Sequence, residues 1–114
     1  MSNMSKPAAV RVKHDIFMSV KDAHRPVNAK YGDTCTLCLP KDTTMKMQVM
    51  SSNVLLVWIN VLDAVADRYG YTTDYFKRLK IHGAHTGLYV KIYDVSEKAD
   101  AVRHVLALLK LVHE

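Results

Sequence analysis

A chain of 114 residues, 49% hydrophobic and 24% charged, has the composition of one ordinary globular domain, which excludes long disorder and leaves room for a single core. Sixteen Lys and Arg against eleven Asp and Glu give a net charge of +5, an excess that favours encounters with polyanions without specifying one. Met1 to Ala9 lacks the apolar run of a secretory signal, Met47 to Leu62 is broken by Gln48, Ser51, Ser52 and Asn53 and cannot span a bilayer, and Cys35 and Cys38 make no disulfide framework, so the expected setting is cytoplasmic with no membrane contact.

Residues 1–7 are small and polar and read as a flexible leader. From about Ala8 to Val20 the chain alternates: Val10, Val12, His14, Ile16, Met18 and Val20 fall on one side of a two-residue repeat, and Arg11, Lys13, Asp15 and Ser19 on the other. That pattern predicts a long strand, with a bend near His14 and Asp15. Lys21 to Asp33, with Pro26, Asn28 and Gly32 among charges, reads as a long connection. Thr34 to Leu39 and Thr44 to Met50 predict a hairpin across Pro40 to Thr43, with Met45, Met47 and Val49 on one face.

Ser51, Ser52 and Asn53 suit a helix cap and Gly70 a helix end, so Val54 to Tyr69 predicts a deeply buried helix striped by Leu55, Ile59, Leu62, Ala66 and Tyr69. Tyr71 to His82 is ambiguous between strand alternation and a short helix closed at Gly83, and the helix is preferred. Gly87 to Val95 predicts a strand with Leu88, Val90 and Ile92 inward and Tyr89, Lys91 and Tyr93 outward. Asp94 or Ser96 then caps a last helix with a broad apolar face of Ala101, Val102, Val105, Leu106, Leu108, Leu109 and Val112, broad enough to admit a homodimer through it.

These elements predict an α+β domain over residues 8–114: an antiparallel sheet of about four strands covered on one face by two main helices, a two-layer sandwich. Such frames host unrelated functions, so fold lends none.

The sharpest ligand set is Cys35, Cys38, His82 and His85, the inventory of a structural zinc site. Against it, no Gly or Pro knuckle accompanies Cys38, and strand positions three apart point to opposite faces. No metal or cofactor is therefore expected. A redox Cys pair lacks the helix start it needs, and His14, His24 and Asp33 with a Cys or Ser offer nucleophile combinations only at the level of chance. There is no phosphate loop, nucleophile elbow or HExxH, so no catalytic residue is assigned and an enzyme is the weaker reading.

The charge map says more. Between Tyr75 and Tyr93 stand Lys77, Arg78, Lys80 and Lys91 with His82 and His85 and no acid, interleaved with Tyr75, Phe76, Tyr89 and Tyr93. Cations track phosphates while rings stack on bases, so Lys77, Arg78, Lys80, His82, His85, Tyr89, Lys91 and Tyr93 are the candidate nucleic-acid-binding set; the bland alternative is core rings under a solvated lysine face. Arg11, Lys13, Lys21, Arg25 and Lys30 form a second basic group that strengthens this reading if it shares the face. The expected function is a small non-enzymatic binding protein for nucleic acid or another polyanion. The alternative is a protein-interaction or inhibitor module docking on a larger protein through the long loop, the Met45, Met47 and Met50 cluster or the last helix.

Overall fold

The computed structural model describes residues 4–81 and 83–114. It is an α+β fold in which one antiparallel sheet of six strands carries three helices, richer by two strands and a helix than the sequence pattern predicts. The elements run α1 (Lys6–Ala23), β1 (Asn28–Lys30), β2 (Thr34–Leu39), β3 (Thr43–Val49), β4 (Leu55–Leu62), α2 (Asp63–Gly70), β5 (Lys77–Lys80), β6 (His85–Ile92) and α3 (Lys98–Val112). Strand order across the sheet is β1-β2-β3-β4-β6-β5.

The first element is a helix, not the expected strand. The Ser5 hydroxyl accepts the Ala8 N–H at 3.2 Å and Pro7 stands in the first turn, a start signal that places the boundary inside the expected leader. Met4 is also buried, so the fold begins before residue 8. The buried stripe is Ala9, Val12, Lys13, Ile16, Phe17 and Val20, a spacing of three and four. Val10 and Met18, which a strand would turn inward, are each 37% exposed, and His14 faces outward from the helix.

Two more elements depart from expectation. Residues 55–62 form a strand whose burial strictly alternates, with Leu55, Val57, Ile59 and Val61 inward; only residues 63–70 are helical. The segment after Thr72 holds β5 rather than a short helix. The β2–β3 hairpin, β6 and α3 stand where the pattern puts them, and the long connection contains the three-residue edge strand β1.

One face of the sheet is covered. Cys35, Leu37, Met45, Met47, Val57, Ile59, Leu88 and Ile92 project from it into one cluster with Ile16, Val20, Val105 and Leu108. α1 packs on β3 and β4, α2 on β4 and β6, and α3 against both helices. Most of the apolar face of α3 is thereby spent inside the chain: Ala101, Val105, Leu108 and Leu109 have no exposed surface, and Val102 and Leu106 are part-buried against the core. Ion pairs join the elements, Lys98 of α3 to Asp15 of α1 at 2.8 Å within the helical layer and Arg78 of β5 to Asp67 of α2 at 2.7 Å between the layers. The radius of gyration, 13.3 Å, matches the roughly 13 Å expected of a compact chain this long.

Candidate nucleic-acid interface

The opposite face of the sheet carries no helix. In an antiparallel ladder directly opposed residues project on the same side, so the strand register writes out the rows of this face. One row reads Lys30, Thr36, Lys46, Trp58, Tyr89, Lys77 across β1, β2, β3, β4, β6 and β5. Two residues along, Thr34, Gln48, Leu56 and Lys91 form another. On the other side of the first row lie Cys38, Thr44, Asn60, Gly87 and Leu79, and beyond them His85 beside Leu62.

At the centre Trp58 and Tyr89 lie nearly parallel, 19° apart, with ring centroids at 5.9 Å. The position of the indole depends on its neighbour. A Cβ on Gly87 would fall 2.3 Å from the Trp58 ring, so only glycine lets the indole lie down across β6. The carbonyl oxygen of the Asn60 side chain, opposite Gly87, is buried without a hydrogen-bond partner among the described residues. A shallow recess opens on each side of the ring pair. One, of about 260 Å³, is lined by Thr34, Lys46, Gln48, Leu56 and Trp58; the other, of about 190 Å³, by Tyr75, Lys77, Tyr89, Lys91 and Tyr93. The second is a notch at the sheet edge, where β5 stops short of the last residues of β6.

Charge on the strands of this face has one sign, the nearest carboxylate at the notch being Glu97, which accepts the Tyr93 N–H at 2.9 Å. No strand contains Asp or Glu, and Lys30, Lys46, Lys77 and Lys91 all stand on the open side. Among the described residues none of the four has an ion-pair partner.

The eight-residue set read from sequence is therefore divided. Lys77, His85, Tyr89 and Lys91 share the open face, and Tyr93 rims the notch. Arg78 and Lys80 alternate to the helical side, where they pair with Asp67 and Asp63 of α2. His82 lies outside the described residues. Within the covered layer, Lys80 and the Thr86 hydroxyl both donate to the Asp63 carboxylate and hold it below the usual carboxylate range, Lys80 having the larger effect.

The second basic group also scatters. Lys13, expected on a wet strand face, is buried with its Nζ donating to the carbonyls of Gly32 and Asp33 at 2.9 and 3.1 Å, and Arg11 pairs with Asp15 on α1. Lys30 is the member of this group that the strand register places on the open face. Trp58 and Lys46 are the members sequence reasoning missed.

Of the four residues weighed as a zinc set, Cys35 is buried under the helices while Cys38 points to the open side, and His82 lies outside the described residues; among those described, no three His, Cys, Asp or Glu converge. Of the surfaces considered for protein docking, Met45 and Met47 are core residues and Met50 is exposed, while the long connection is largely exposed, Val27 and Tyr31 included.

Family models, curated proteins and solved structures all return no match to this chain. The site stands on its geometry. Among the described residues, no helix is long and apolar enough to cross a membrane.

A second cluster, of different character, sits between α2, β5 and α3. The Tyr69 hydroxyl is 2.5 Å from His104 Nδ1, and the His104 ring stacks on Tyr75 at 4.0 Å and 3°. Burial pushes both tyrosine hydroxyls up to about 12 and pulls His104 below its ordinary value, so all three are neutral at physiological pH. A neutral tyrosine hydrogen-bonded to a neutral imidazole is a structural clasp.

Proposed function

We propose that this protein binds nucleic acid through the open sheet face, acting as a polyanion-binding module rather than an enzyme. The observation that carries the reading is a helix-free face with four unpaired lysines around two aromatic rings and no acid in any strand. Phosphate contacts release condensed counterions, which supplies affinity without any built catalytic group. Charge also argues against the competing occupant, a second copy of the chain. A face-to-face pair would oppose four lysines with four more and offer no carboxylate to either.

The test is binding of a labelled oligonucleotide, followed by fluorescence anisotropy as salt rises from about 50 to about 200 mM. Engagement of four phosphates gives a log–log slope near −3 on a single strand. A flat titration overturns the proposal.

A further inference from the structure

We infer that the ligand of this face is single-stranded nucleic acid, its backbone crossing the β-strands along the Lys46, Trp58, Tyr89, Lys77 row with one base stacked on each ring; this rests on the nucleic-acid reading above. Successive strands are spaced by about 4.8 Å, so Lys46 and Lys77 stand roughly 14 Å apart with the two rings between them. A cation therefore brackets the ring pair at each end. Each ring also borders its own recess with its own lysine: Trp58 with Lys46 on one side, Tyr89 with Lys77 and Lys91 on the other. That repetition suits a chain whose units each present a flat base and a phosphate.

The rings decide against duplex. Trp58 and Tyr89 are both part-buried, their rings lie 19° from parallel, and the indole sits against Gly87 of β6, so the pair forms one aromatic surface at the centre of the row. A face is useful only to a base that is not already stacked inside a helix. Duplex could meet the lysines through its phosphates but would leave the aromatic centre unused. Stacking and charge do not read the sugar, so ribose and deoxyribose strands satisfy the site alike.

The 114-residue chain carries one tryptophan, which makes the site its own reporter. Its emission and binding would be followed with three probes: a single strand of about twelve nucleotides, the same sequence as duplex, and inorganic polyphosphate, which has charge and no bases. The expected result is quenching of Trp58 by the single strand alone, with at least about tenfold tighter binding than to either other probe. Trp58→Ala should lower single-strand affinity roughly ten- to a hundredfold, and Trp58→Phe, which keeps a ring, by much less. Equal binding of all three probes with unchanged emission overturns the single-strand inference and leaves the charge-based reading standing. No binding to any probe overturns both.

Discussion

Placing a methyl group at position 87 would drive it to 2.3 Å from the Trp58 ring, in the middle of a strand. Gly87→Ala should therefore lift the indole off β6, change its emission in the free protein and weaken oligonucleotide binding, while circular dichroism shows the fold intact. Asn60, across the ladder, carries the opposite kind of constraint. A buried carbonyl oxygen without a donor costs about 1–3 kcal/mol. Asn60→Leu should raise the free energy of unfolding in urea by about 1 kcal/mol; a loss of stability would show that a donor satisfies this oxygen in solution. Lys13 is the reverse case, a buried cation whose Nζ closes the Gly32–Asp33 turn. Replacing it with Met strands two carbonyls, and a loss of about 1–3 kcal/mol is expected in the same measurement.

Between elements, two histidine contacts set a pH window. His24, at the end of α1, stacks on His113 at 4.7 Å, and burial, then His113, pulls its pKa below the ordinary 6.5; His104, in α3, is lowered chiefly by burial. Because the folded values lie below the unfolded ones, the unfolded chain takes up protons first. Stability from this source is complete above about 6.5 and declines as pH falls below it. Urea midpoints should drop between neutrality and about pH 5, and His104→Gln should flatten that dependence. Asp15 does not confuse this window, because its hydrogen bond to Lys98 chiefly holds its carboxyl below the usual carboxylate range.

How far these elements were legible depended on periodicity. β2, β3 and α3 have one apolar face and clear caps or turns, so their patterns admit a single reading. α1 does not, because Val12, Ile16 and Val20 are four apart, and four is a multiple of the strand period as well as close to a helical turn. Ser5 and Pro7 were the discriminating signal. β4 failed for another reason: it is a central strand with Leu56 and Trp58 on its second face, and an apolar run without alternation resembles a buried helix. Misreading β4 hid Trp58 from the candidate site. Misreading β5 as helical joined Arg78 and Lys80 to Lys77, though in a strand adjacent residues cannot share a face.

For the whole molecule, the division of the basic residues gives a control as well as a site. Lys46→Glu with Lys77→Glu should abolish detectable binding at moderate salt. Arg78→Ala with Lys80→Ala, on the covered side, should leave affinity within a few fold while loosening α2. Equal losses from both pairs, measured by anisotropy at one salt concentration, would mean that net charge and not this face governs binding.

The absence of acids from the strands reaches beyond contact distance. Among the described residues, six of the sixteen basic side chains lie in strands, leaving ten against all eleven carboxylates in helices and loops. Arg78 and Lys80 are neutralised by Asp67 and Asp63 on the covered side, so four unpaired lysines stand on the open face and the other twelve basic side chains are set against the eleven carboxylates. The molecule is thus a dipole, cationic on its open face and near neutral elsewhere. In the field of a long polyanion it is turned before it arrives, so collisions are sheet-first, and the capture rate, not only the residence time, should fall as added salt shortens the reach of that torque.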